Sequence, residues 1–193
     1  MISNKILFID TETGGLDPLE NSLLSVAFAV WDNGRITEAK EFLINDGVLN
    51  VTSKALEINR INIIEHSRIA LKSKHAISEI KDFLNKNFGL DEKIILCGHN
   101  ILFDINFFKN FWNKNEGNYN TRFSHRYVDT ASILFFLSIT NKLPKNSNSS
   151  QNAFDLFGIS IDKRHSALGD VLGTAELFNR LIELDSFNSK NYR

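Results

Sequence analysis

The chain has 193 residues, 42% of them apolar, and a formal charge of -1. That composition fills the core of one domain, while the near-neutral balance gives no bulk electrostatic argument for or against a nucleic-acid partner. A single cysteine, Cys97, excludes an internal disulfide, and MISNKILFIDTE carries acids where a signal peptide is apolar, so a reducing cytoplasm and no membrane association are expected.

Lys5–Asp10 (KILFID) reads as a short buried strand closed by Thr-Glu-Thr-Gly-Gly. Leu23–Trp31 reads as a second strand, Asp32-Asn33-Gly34 as a turn, and Arg35–Ile44 as a returning third strand, which makes an antiparallel meander. Ala55–His66 and Ala76–Phe88 read as helices, the second with Ile77, Ile80, Phe83 and Leu84 on one stripe. Lys93–Cys97 (KIILC) is apolar throughout, as buried parallel strands are. Phe103–Lys114 reads as a Phe-rich helix, Tyr127-Val128 as a short strand and Thr130–Thr140 as a helix. Lys145–Asn152 (KNSNSSQN) is small and polar, a loop or mobile insert to which no role is assigned, with a short helix at Gln151–Phe157 after it. Ser166–Leu184 is the last helix. The pattern predicts one α/β domain over residues 1–185, a mixed sheet flanked by helices, and a flexible tail over 186–193. His66, His75 and His125 stand in polar surroundings and are expected to be solvated. Cys97 is expected to be a buried thiol rather than a nucleophile.

The first strand ends in two acids. Residues two apart in a strand share a face, so Asp10 and Glu12 project together if the strand runs that far. Paired carboxylates repel and favour protonation, a cost that a divalent cation reverses. Two acids in a turn are also simply solvated groups. Asp104 follows the Lys93–Cys97 strand, in the first turn of the next helix, where ligands gather in open α/β sheets and where a capping acid is equally at home. His165 and Asp170 open the last helix.

Three ordered segments, FIDTETGGLDP, GHNILFDINFF and RHSALGDVLGTAELF, resemble the DEDDh 3′–5′ exonucleases. YVDTASIL, with Asp129, and the connector LEINRINIIEH match the intervening parts, so the resemblance spans Lys5 to Leu184. That family has a ribonuclease H-like fold and includes the proofreading subunits and domains of bacterial replicative DNA polymerases as well as RNA-trimming enzymes. The resemblance implies that Asp10, Glu12, Asp104 and Asp170 hold two divalent ions, Mg²⁺ with Mn²⁺ as a substitute, and that His165 is the general base. It implies that Thr13, Gly14, Gly15, Leu16, Asn100 and Phe103 meet the nucleotides at the 3′ end, with Asp129 in a supporting role. Gly14 departs from the pattern, since many relatives carry Thr there.

The expected activity is removal of nucleoside monophosphates from the 3′ end of single-stranded DNA, with a DNA polymerase subunit as a candidate partner and the oligomeric state open. The alternative keeps the chemistry and takes RNA or short oligoribonucleotides, since contacts at the 2′-OH decide between them. A non-catalytic polymerase-binding module is a third reading, which predicts the loss of a metal acid or of His165; all five residues are present.

Overall fold

The structure, a computed structural model, describes residues 5–161 and 166–189, with side chains of the last helix as far as 184. β1 (Lys5–Thr13), β2 (Leu23–Asp32) and β3 (Arg35–Asn45) form the meander. Asn33 and Gly34, both with positive φ (50° and 89°), make the tight turn between β2 and β3. β4 (Leu71–Lys72) pairs parallel with β3, while β5 (Ile94–Gly98) and β6 (Phe123–Asp129) extend the sheet in parallel beyond β1. The strand order is β4-β3-β2-β1-β5-β6. The helices are α1 (Ser53–Asn59), α2 (Ile63–Ile69), α3 (Ser73–Asn87), α4 (Leu102–Asn115), α5 (Tyr119–Arg122), α6 (Thr130–Ile139), α7 (Ser150–Phe157) and α8 (Ala167–Ser189).

Strand alternation sorts β1 between two cores. Leu7 and Ile9 join a cluster with α3 and α4, while Phe8 packs on the other face with Ala27, Ala29 and the α8 residues Val171 and Ala175. Phe28 lies at the centre of the first cluster, its ring 5.2 Å from Phe108, 6.1 Å from Phe42 and 6.1 Å from Phe83. Truncating such a ring to alanine costs about 3–5 kcal/mol, so these phenylalanines hold the scaffold. A third cluster, with Leu134, Phe154, Leu177 and Leu181, joins α6, α7 and α8. Among the described residues no helix is long and apolar enough to cross a membrane.

The structure corrects several expectations. The helix expected over Ala55–His66 is two. Arg60 is left-handed (φ 57°) at the end of α1, and the Asn62 side chain accepts from the Ile64 and Glu65 amides to start α2. Asn59 fixes the break. Its side-chain NH₂ donates to the Thr13 carbonyl at 3.1 Å and its side-chain oxygen accepts from Ile61 N–H at 3.0 Å, tying the helix end to the end of β1. His66 is not solvated: it is 4% exposed, with Nε2 2.9 Å from the Ile44 carbonyl oxygen. β6 is longer than Tyr127-Val128. As the edge strand it exposes His125, Arg126 and Tyr127, and so carries no apolar signal. The polar insert is tied down by its own hydroxyls. Ser147 is buried and donates to the Pro144 carbonyl at 2.7 Å, while Ser149 Oγ accepts from Asn152 N–H at 3.2 Å to cap α7.

Candidate active site

β1 runs to Thr13 because β2 pairs with it that far, Asp10 opposite Ala27 and Glu12 opposite Ser25. Both acids therefore leave the sheet on the α8 face, beside Phe8. On the other edge Phe8 is level with Cys97, so β5 ends at Gly98, beside Ile9. A Cβ on Gly98 would stand 3.0 Å from the Ile9 carbonyl oxygen, so the chain turns away there against the strand. The first turn of α4 comes next and presents Asp104 to the uncovered end of β1. Its carboxylate accepts from the Thr11 hydroxyl at 2.6 Å and from the Thr11 backbone.

α8 supplies the remaining acid. Ser166 opens the helix: its Oγ accepts from Gly169 N–H at 3.2 Å and its carbonyl from Asp170 N–H at 2.9 Å. Asp10, Glu12 and Asp170 each bring one carboxylate oxygen to a point where all three lie within 4.8 Å of one another. Asp104 stands outside that trio but is the acid that acts most strongly on Asp10. His165 lies outside the described residues.

The electrostatics follow from crowding acids into a partly buried corner. Burial first, then the neighbouring carboxylates Asp104, Asp170, Glu12 and Glu41, hold the Asp10 carboxyl well above the usual range. Glu12 is pushed up to about 8 by burial and by Asp170, Glu41 and Asp104. Asp104, 5% exposed, is raised to about 7 by burial, against the lowering effect of its bonds to Thr11. A hard divalent cation bound there would displace these protons, and its charge would remove the repulsion. The donor chemistry and the convergence of three oxygens fit a metal of that kind. Cys97 is fully buried, and burial pushes its thiol up, so it is no nucleophile.

Beside the acids runs a largely apolar groove of about 560 Å³, walled by Glu12, Thr13, Gly15, Leu16, Ile58 and Phe103 among others. Leu16 is 82% exposed at its lip, and the Phe103 ring sits 5.0 Å from Phe107. Lys54 of α1 also walls the groove and belongs to no segment that sequence reading singles out, while Ile58 lies in the connector LEINRINIIEH without having been read as a site residue. Gly14 and Asn100 are not among its walls. Gly14 has another reason to be glycine: a Cβ there would meet the Asn50 carbonyl oxygen at 2.2 Å. Asn100 is exposed and left-handed (φ 55°), and its N–H donates to Asp129 Oδ1 at 2.9 Å. The same carboxylate caps α6, accepting from Ala131 N–H at 3.2 Å and from the Ser132 hydroxyl at 2.6 Å.

An acid cluster suited to divalent cations beside an apolar groove has the chemistry of a metal-assisted hydrolase. The RNase T-type exonuclease family model matches residues 7–178, and the chain belongs to that family, the DEDD-type 3′–5′ exonucleases. Ribonuclease T of Wigglesworthia glossinidia brevipalpis is 31% identical over 90% of this chain and 82% of its own length. The PolC-type DNA polymerase III of Thermotoga maritima is 27% identical over 91% of this chain, which spans 12% of that protein. The crystal structure of E. coli exonuclease I in complex with a dT13 oligonucleotide superposes with a TM-score of 0.81 at 17% identity, over 98% of this chain and 43% of that one. This match establishes the ribonuclease H-like fold. The chain is a hydrolase of the 3′–5′ exonuclease class.

Proposed function

We propose that the protein removes nucleoside monophosphates one at a time from the 3′ end of single-stranded DNA, with two divalent ions, Mg²⁺ or Mn²⁺, in its centre. The observation that carries this reading is the approach of the Asp10, Glu12 and Asp170 oxygens to within 4.8 Å at the mouth of the Leu16–Phe103 groove. Asp10, Glu12 and Asp170 would hold one ion, and Asp104, fixed by Thr11, would support a second one beside Asp10. When bound, the ions neutralise the phosphate and lower the pKa of the attacking water. The His165 imidazole accepts that water's proton, a task for which an imidazole is suited near neutral pH and for which carboxylates engaged with metal are not. Leu16 and Phe103 give the terminal bases apolar and stacking contacts that tolerate any sequence. Thr13 and Gly15 shape the wall between them and the acids, while Gly14 and Asn100 act through the backbone turns they form. Residues 1–185 form the exonuclease domain.

The PolC-type relative, in which this domain is a small part of a polymerase, supports a proofreading context. The dT13 bound by E. coli exonuclease I supports DNA as substrate. A second reading, trimming of RNA 3′ ends, is favoured by the 31% identity to a ribonuclease T. Matched single-stranded DNA and RNA oligonucleotides of one sequence separate the two. The DNA reading predicts the larger kcat/KM on DNA, and a larger value on RNA replaces it with the second.

A further inference from the structure

Glu41 belongs to no motif, yet it stands on the face of the sheet that carries Asp10 and Glu12. Asp10 pairs with Ala27 and Ala27 pairs with Glu41, so the three make one row across β1, β2 and β3. Directly paired residues point to the same side, and the residue between the two acids contributes only a methyl group. Ser25, opposite Glu12, donates its hydroxyl to Glu41 Oε1 at 2.8 Å, which draws the carboxylate diagonally along the sheet toward Glu12. Glu41 also lines a cavity of about 730 Å³ together with Ser166 and Gly169, the turn that presents Asp170.

We infer that Glu41, steered by Ser25, is a fifth acid of the metal centre that strengthens divalent-cation binding through its charge without ligating the ion. The inference rests on the metal reading above. Glu41 is outside the trio of converging oxygens, so it acts across the row rather than at the ion. A unit charge roughly two strand spacings from a dication, in a partly hydrated corner, changes the affinity by about three- to tenfold. Salt weakens such an effect, whereas a purely structural role is insensitive to it.

The test is calorimetric titration of Mn²⁺ into the nucleic-acid-free protein at low and at high ionic strength. Glu41→Gln removes the charge and keeps an oxygen for the Ser25 hydroxyl. Its Kd is expected to rise about three- to tenfold at low salt and to approach the wild-type value at high salt. Ser25→Ala, which keeps the charge and frees its direction, is expected to shift Kd in the same sense by less. Asp91→Asn, in an exposed turn before β5, is the control for net charge. A Glu41→Gln Kd equal to the wild type, or an equal shift in Asp91→Asn, overturns the inference and leaves the metal reading standing. Absence of Mn²⁺ binding in the wild type overturns both. Should Glu41→Gln fail to fold, an unshifted Ser25→Ala overturns the inference on its own.

Discussion

Thr11 Oγ1 lies 2.6 Å from Asp104 Oδ1, a buried hydrogen bond joining the central strand to the first turn of α4 across 93 residues of sequence. Asp10 and Glu12 point to one face of the sheet, and Thr11 between them points to the other. The Asp-x-Glu triplet thus does two things at once: its acids converge with Asp170 on the α8 side while its middle residue orients the acid that arrives with α4.

Thr11→Val keeps the shape of the side chain and removes the donor. Leaving a buried carboxylate oxygen without that partner costs about 1–3 kcal/mol of stability. A misplaced partner of a metal acid typically costs 10- to 100-fold in activity or metal affinity, and that is the expected loss in kcat/KM. Thr11→Ser, which retains the hydroxyl, is expected to recover most of it. Thermal melts and steady-state exonuclease rates on one oligonucleotide check both.

The acid cluster makes stability depend on pH in a stated direction. Glu12 ionises near 4.5 in an unfolded chain and at about 8 in the metal-free fold. Between those values the fold binds more protons than the unfolded chain, so the contribution of Glu12 falls as pH rises from about 4.5 to about 8 and is constant above. The Tm difference between wild type and Glu12→Gln, measured without metal, is expected to turn against the wild type across that window. Added Mg²⁺ is expected to raise the wild-type Tm more at pH 8.5 than at pH 5.5, because at low pH it must displace protons.

Asp129 serves two chain turns with one carboxylate, the left-handed Asn100 and the start of α6. Asp129→Ala removes an N-cap worth about 0.5–2 kcal/mol and releases the Asn100 turn that leads into Phe103 and Asp104. The expected result is a lower Tm together with a raised KM for oligonucleotide. Unchanged KM with lowered Tm would confine Asp129 to the helix cap.

Leu16 projects into solvent at the lip of the groove, where it adds little to folding. Leu16→Ala is expected to leave Tm within a degree or two and to weaken oligonucleotide binding by about 1 kcal/mol, toward the low end for base contacts. Phe103→Ala differs because its ring also packs on Phe107, so Tm and binding are expected to fall together. Fluorescence anisotropy with a chelator present, which stops cleavage, reads the binding.

The apolar runs that become β1, β2 and β5 were legible in the sequence because composition and spacing are local properties, and the four acids were singled out by the resemblance of ordered segments. What tertiary contact decides was not. Arg60 ends α1 because Asn59 is held by the Thr13 carbonyl, a partner 46 residues away. His66 is buried because Ile44 offers its carbonyl oxygen, although its sequence neighbours are polar. Edge strand β6 hid behind its own exposed residues. Glu41 lies in KEFLIN, an ordinary half-exposed strand, and only the pairing of β3 with β2 places it in the row of Asp10. The Asn59-Arg60-Ile61-Asn62 stretch did carry a signal, since an Asn that starts a helix is a cap residue that could have split the helix in advance.

The measurement that bears most directly on the centre is the digestion of a 5′-labelled single-stranded DNA oligonucleotide by wild type and by Asp170→Asn, each with Mg²⁺ and with chelator. The account predicts a ladder shortening from the 3′ end in the wild type with Mg²⁺, and intact substrate in the other three reactions. A ladder that persists in chelator, or that Asp170→Asn produces at the wild-type rate, contradicts the assignment of Asp10, Glu12 and Asp170 as the metal-holding centre.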